Sequence, residues 1–137
     1  MRVSELMTDP VVSAGRNDTL DAAYEAMLDG GFRHLPVTDG DGELVGVLSQ
    51  RDIAARLGPF VRQDMVAQTE RLERFTVGQA MSEVVDTIDP DDPVQLAAEI
   101  LLERKISCLP VVEGTRLVGI VTESDFVRLA LRMLEDG

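Results

Sequence analysis

A hydroxyl and a carboxylate stand three residues apart twice in this chain, as Ser49-x-x-Asp52 and as Thr122-x-x-Asp125. Each pair closes an apolar stretch, Leu44-Val45-Gly46-Val47-Leu48 or Leu117-Val118-Gly119-Ile120-Val121, the pattern of a strand that runs into a helix start. The free amides and the positive end of the peptide dipoles at a helix start suit a phosphate. A hydroxyl at the cap adds one donor to a phosphate oxygen, and a carboxylate in the first turn can accept two hydrogen bonds from a ribose cis-diol. Hydroxyl and carboxylate together suit the sugar-phosphate half of a nucleotide, and Gly46 or Gly119 upstream would let backbone and ligand approach closely. The same spacing also writes a capping box, in which the two side chains satisfy orphan amides of the helix itself.

The elements that must position these motifs are repeated too. Val3, Met7, Val11, Asp18, Ala23, Glu25, Leu35, Pro36, Val37 and Gly40 recur at one constant offset as Val77, Met81, Val85, Asp92, Ala97, Glu99, Leu109, Pro110, Val111 and Gly114. The second copy is one residue shorter after the turn that follows, and the register then resumes. An internal duplication of this length predicts two copies of one unit. The helix and strand patterns within each make the expected class α+β: two pseudo-symmetric repeats, each a small β-sheet with packed helices. The expected boundaries are 1–58 for the first repeat, 59–76 for a connecting helix or linker, and 77–137 for the second repeat.

Within each copy the periodicities are explicit. Leu20, Ala23, Tyr24, Met27 and Leu28 form a helical stripe, with Thr19 or Asp18 to cap it and Gly30-Gly31 to end it. Val94, Ala97, Ala98, Leu101 and Leu102 repeat the stripe, with Pro93 allowed in the first turn. Short strands are expected at 32–38 and 106–112, and again at 44–48 and 117–121, joined by turns at Asp39-Gly40-Asp41-Gly42 and Glu113-Gly114. Asp39-x-Asp41-Gly42 resembles part of a calcium loop but lacks the later ligands, so it reads as a hairpin turn. Between the copies Gly58-Pro59 breaks a helix, and Val61, Met65, Gln68, Leu72 and Phe75 follow helical spacing. The last helix, about 123–135, carries Phe126, Val127, Leu129, Ala130, Leu131, Met133 and Leu134 over more than one face. Either part of it packs on another subunit, or it lies deep between the copies.

Composition narrows the function classes. The 137 residues hold 25 acidic and 13 basic side chains, a net charge of −12, and Lys105 is the only lysine. Such a surface repels phosphate backbones and anionic lipid, so duplex nucleic acid and membrane surfaces are poor partners. It suits a protein kept soluble in high salt, and GC-rich coding that favours arginine over lysine explains it equally well. The apolar content of 45% supports a real core. No apolar run approaches the roughly 20 residues of a membrane span, and the start lacks a signal peptide, so a cytoplasmic location is the default. A single cysteine, Cys108, excludes an intramolecular disulfide and any cysteine-cluster metal site. It reads as a small buried hydrophobe, the lone His34 as a packing or solvent-facing residue, and Met7, Met27 and Met81 as core.

The duplicated order of helix, Leu-Pro-Val strand, Leu-Val-Gly strand and Ser/Thr-x-x-Asp resembles a tandem pair of cystathionine β-synthase (CBS) domains, a Bateman module. The resemblance runs from about Val3 to Leu134, and both copies keep the motif. It implies a regulatory module without catalytic cofactor or metal, binding AMP, ADP, ATP, NAD or S-adenosylmethionine in two clefts between the halves. Carried over, one ligand set is Thr122 and Asp125 with Met7, Val12, Phe32, Arg33 and His34. The other is Ser49 and Asp52 with Met81, Asp86, Ile106, Ser107 and Cys108. Arg33 and His34 could offset phosphate charge in the first set, and Arg51 in the second, where the first has Ser124. Asp86 could bond an adenine amino group or repel phosphate, and Arg33 and Arg51 read equally as surface charges. The resemblance further implies a homodimer built on helices around a two-fold axis and an effector protein encoded elsewhere.

Two rivals are weighed against this reading. Stand-alone catalysis finds no Gly-x-Ser-x-Gly elbow, His-Glu-x-x-His or phosphate-binding Walker loop. An interaction or dimerisation module that binds no ligand needs only the helix-cap role of the two motifs.

Overall fold

The helix and strand periodicities fold as α1 (Val3–Leu6), β1 (Ala14–Gly15), α2 (Leu20–Gly30), β2 (His34–Thr38), β3 (Leu44–Ser49) and α3 (Gln50–Leu57). A 3₁₀ turn (Gly58–Arg62), α4 (Met65–Leu72) and α5 (Val77–Ala80) follow, then α6 (Val94–Arg104), β4 (Cys108–Glu113), β5 (Arg116–Thr122) and α7 (Glu123–Asp136). The structure, a computed structural model, describes residues 1–62 and 64–137, and of Val61 only the backbone. The expected α+β class holds: each repeat has a small sheet with helices packed on it.

The chain divides into two compact units, Val12–Val85 and a second built from Met1–Val11 with Asp86–Gly137. This division differs from that of the repeats, because the opening segment of each copy is folded onto the sheet of the other.

In the unit Val12–Val85, α2 buries Leu20, Ala23 and Met27 against Leu35, Val37, Leu48 and Ile53, a side-by-side stripe of the kind its spacing dictates. Leu28, the last residue of that stripe, is exposed. Thr19 occupies the N-cap position without a side-chain cap bond, while Asp18 turns back to accept from the Gly15 amide at 2.8 Å. Gly31 ends the helix in the left-handed conformation, φ 71°, and the Phe32 amide donates to Met27 O at 2.9 Å. That closing bond explains why β2 starts at His34 and not at residue 32. β2 pairs antiparallel with β3 and parallel with β1. Asp39 makes the hairpin turn by accepting from the amides of Asp41 and Glu43, at 2.9 and 3.0 Å, so its carboxylate serves the turn as expected.

The connection is shorter and more broken than the spacing predicts. Gly58 stops α3 at φ 53°, and α4 begins only at Met65, capped by Asp64, whose Oδ1 accepts from Ala67 N at 2.9 Å. Leu72 is buried and Phe75 packs on the same core, but Met65 is 77% exposed, so the stripe is real only at its end; the Val61 side chain lies outside the described part. The chain then pins itself to the first copy, with Val77 N donating to Asp18 O and Gly78 N to Arg16 O, at 2.8 and 2.9 Å. Val47 and Ser82 exchange amide–carbonyl bonds at 3.0 and 2.9 Å.

The second unit is built in the same way. Val94, Ala97 and Leu101 of α6 are buried with Leu109, Val111 and Val121, and Leu102, like Leu28, is exposed. Pro93 is the N-cap residue of α6, one position before the helical turn expected for it. Ile106 N donates to Leu101 O at 3.2 Å, so β4 likewise begins late, at Cys108. β4 and β5 form an antiparallel pair, and Ile88 bridges Val111 in parallel where β1 lies in the other unit. Val3 and Leu6 of α1 enter this core, Val3 N donates to Asp92 O, and Thr8 and Ile120 exchange amide–carbonyl bonds at 2.8 and 3.2 Å. Of the apolar residues on α7, Phe126 and Leu129 pack on this core, whereas Val127, Leu131, Met133 and Leu134 are exposed, Leu134 by 78%. Within its own unit the helix is therefore a surface helix with a second apolar face.

Candidate functional site

The first motif sits where β3 becomes α3. Ser49 is extended, pairs with His34 across the hairpin, and holds the N-cap position. Its hydroxyl accepts from Asp52 N at 3.1 Å while its amide donates to Asp52 Oδ2 at 2.8 Å, a complete capping box. Gln50 ties the start of β2 to the motif, donating from its amide to Arg33 O and from Nε2 to Phe32 O, at 3.0 and 3.3 Å. Asp52 is half-buried, and its other oxygen, Oδ1, accepts no hydrogen bond from any described residue. Arg33 and Arg51 are exposed, as is Val12, whereas His34 is half-buried.

Gly46 does not leave room for a ligand. A Cβ there would lie 2.7 Å from Ser82 O and 2.8 Å from Met81 Sδ. The bare backbone admits the segment that carries Met81, which is half-buried against it, and this corrects the reading of the glycine as a point of ligand approach. The Ser82 hydroxyl donates to Val84 O at 3.3 Å.

The second motif repeats the backbone and changes the side chains. Thr122 pairs with Cys108, and Glu123 N donates to Ser107 O at 3.1 Å. Thr122 N donates to Asp125 Oδ2 at 2.8 Å, and the Thr122 hydroxyl donates to the same oxygen at 3.3 Å. Asp125 Oδ1 is also taken, by Arg128 Nη2 at 2.8 Å and by the Thr8 hydroxyl at 3.4 Å. The Asp125 side chain is 5% exposed, and Arg128 is 64% exposed. Gly119 is filled as Gly46 is: a Cβ would stand 2.6 Å from Met7 Sδ and 3.1 Å from Thr8 O. Ser124 is exposed, Ile106 and Ser107 are half-buried, and Asp86 lies 4.0 Å from the Arg104 guanidinium in a largely solvated pair. Cys108 is buried, and burial pushes its thiol up to about 11, which keeps it inert.

The structure places Met7 against Gly119 in the unit that holds Thr122 and Asp125, and Met81 against Gly46 in the unit that holds Ser49 and Asp52. The other expected members of each set, Val12, Phe32, Arg33 and His34 or Asp86, Ile106, Ser107 and Cys108, belong to the opposite unit from their motif. Thr8 and Arg128 were not among the expected residues. Both had a signal: Thr8 follows Met7 in the repeated opening segment, and Arg128 is three residues beyond Asp125 on one helix face. Among the described residues no group of three or more His, Cys, Asp or Glu could hold a metal ion, and no helix is long and apolar enough to cross a membrane.

The family model for the CBS domain matches residues 3–58 and 77–132. A CBS domain-containing protein of Dictyostelium discoideum is 32% identical over 97% of this chain and 93% of its own length. The chain also matches longer proteins over about a quarter of their length, such as a homoserine O-acetyltransferase of Methanohalobium evestigatum, 30% identical over 93% of the chain and 24% of that protein. Among solved structures, the CBS domain pair of protein MJ0100 in complex with 5′-methylthioadenosine and S-adenosyl-L-methionine is 29% identical, with TM-score 0.82 over 97% of this chain and 98% of that one. CBSX2 in complex with AMP is 30% identical, with TM-score 0.80 over 96% and 97% of the two chains.

Proposed function

The chain belongs to the CBS-domain family, and from that premise we propose that it is a non-catalytic regulatory module that binds an adenosine-containing ligand. The ligand class is AMP, ADP, ATP or S-adenosylmethionine, and the carboxylates of Asp52 and Asp125 accept the ribose hydroxyls. The observation that carries this reading is Asp52. Its cap needs only Oδ2, and Oδ1 accepts from no described residue at a helix start whose amides suit phosphate. The solved CBS pairs bound to AMP, 5′-methylthioadenosine and S-adenosyl-L-methionine support the same ligand chemistry. Binding signals to a partner protein only if the partner prefers the liganded arrangement, since a ligand shifts an equilibrium by its difference in affinity for the two states and no more.

Titration calorimetry with AMP and with S-adenosylmethionine tests the reading. Asp52→Ala is expected to weaken binding at its motif about 10- to 100-fold, the worth of hydrogen bonds to a charged acceptor. Asp125→Ala is expected to weaken the second site and also to lower the melting temperature, because Asp125 is buried and holds four hydrogen bonds. Absence of heat and of a melting shift with every adenosine ligand would favour the second reading, an interaction module whose motifs are helix caps. The exposed apolar face of α7, Val127, Leu131, Met133 and Leu134, is the observation on that side.

A further inference from the structure

The two carboxylates are satisfied differently. Asp52 Oδ1 accepts nothing from the described residues, whereas Asp125 Oδ1 holds Arg128 at 2.8 Å and Thr8 at 3.4 Å. The repeat shows how the difference arose. Ala55 stands where the second copy has Arg128, and Ser82, the counterpart of Thr8, gives its hydroxyl to Val84 O. Arg128 lies one turn along α7, and helix side chains lean toward the N-terminus, so its guanidinium reaches back to the first turn. It is 64% exposed and borders, with Leu6, Asp125, Leu131 and Arg132, a cavity of about 270 Å³. The side chain has room to leave the carboxylate without disturbing the core.

We infer that Arg128 makes the second motif selective for adenosine ligands that carry a phosphate over uncharged nucleosides, an inference that rests on Asp125 as the ribose acceptor. A ribose diol needs the oxygen that Arg128 and Thr8 occupy. Displacing the guanidinium leaves a nearly buried carboxylate without its counter-charge, and the hydroxyls of a neutral nucleoside do not replace it. A 5′-phosphate held at the start of α7, beside Thr122, offers Arg128 a second anion to move to, so the positive charge stays in the site. The first motif has no such requirement, since Ala55 carries no charge and Asp52 Oδ1 is already available.

The test compares AMP with adenosine on a chain whose first motif is disabled by Asp52→Ala. Adding Arg128→Gln is expected to lower the AMP-over-adenosine affinity ratio about fivefold, chiefly through tighter adenosine binding, the scale of a solvent-accessible ion pair. Arg128→Lys keeps the charge and is expected to retain most of the ratio. A ratio unmoved by Arg128→Gln overturns the inference. If the Asp52→Ala chain binds neither ligand, Arg128→Gln must restore adenosine binding, and failure to do so overturns it equally. Binding of S-adenosylmethionine alone by the unaltered chain would overturn the inference and leave the adenosine-binding reading standing. Binding of no adenosine ligand at all by that chain would remove both.

Discussion

Asp52 and Asp125 occupy the same point of the same repeated fold, each three residues into a helix that leaves a Leu-Val-Gly strand. Both spend Oδ2 on the amide of the cap residue, at 2.8 Å in each copy. They part at Oδ1, which accepts from no described residue in the first copy and is doubly engaged in the second. Capping and ligand binding thus draw on different oxygens of one side chain, and only the second oxygen has diverged. The backbone devices are kept on both sides: a glycine opposite Val37 or Val111, a register shift after that valine, and an extended cap residue. Duplication has conserved what the chain path requires and varied what side chains can replace.

The glycines give the strongest way to break this comparison. Gly46→Ala forces a Cβ against the Ser82 carbonyl oxygen at 2.7 Å, whereas Gly119→Ala meets mainly the flexible Met7 thioether, with Thr8 O at 3.1 Å. Chemical denaturation should show Gly46→Ala losing about 2–3 kcal/mol and Gly119→Ala about 1 kcal/mol, within the range of overpacked sites. Equal losses would show that the two notches are closed alike.

Cys108 and His34 are the next pair, one buried and the other half-buried at matching positions. The Cys108 thiol is raised from 9.0 to about 11 by burial. The folded state therefore holds the proton where the unfolded state releases it. Its contribution to stability is complete below pH 9 and lost as the pH rises toward 11. Relative to Cys108→Val, the unaltered chain should lose melting temperature across that window. At neutral pH its thiolate fraction, and with it the alkylation rate, should be about 100-fold below that of a free cysteine. Rapid labelling of the folded chain would show that the cysteine is not held as the burial implies.

The smallest effect concerns helix ends. Gly31 closes α2 at φ 71°, and Lys105 closes α6 at φ 54°. Lys105→Gly should stabilise the chain by about 0.5–1 kcal/mol, the cost of a side chain in the left-handed region less the loss of chain entropy. A loss of stability would mean that the lysine side chain contributes more than its backbone costs.

Much of this architecture was legible without coordinates. The stripes over Leu20–Met27 and Val94–Leu101 were read from their spacing, as were the turn at Asp39 and the helix starts at Ser49 and Thr122, because each depends on neighbours within a few residues. The stripe ends at Leu28 and Leu102 were not, since periodicity marks a face and not where its cover stops. The connecting helix was over-extended for the same reason, with Met65 in phase and yet in solvent.

By itself, then, the sequence determined the duplication, the order of elements and the two capped helix starts, all of them local or periodic properties of the chain. Tertiary structure decided what surrounds the carboxylates. It sent residues 1–11 to the second copy and residues 77–85 to the first, put methionines into both glycine notches, and laid Thr8 and Arg128 on Asp125. The physical reason is distance along the chain. Thr8 and Asp125 are 117 residues apart, and no local preference can record which hydroxyl a buried carboxylate will meet once the core has closed.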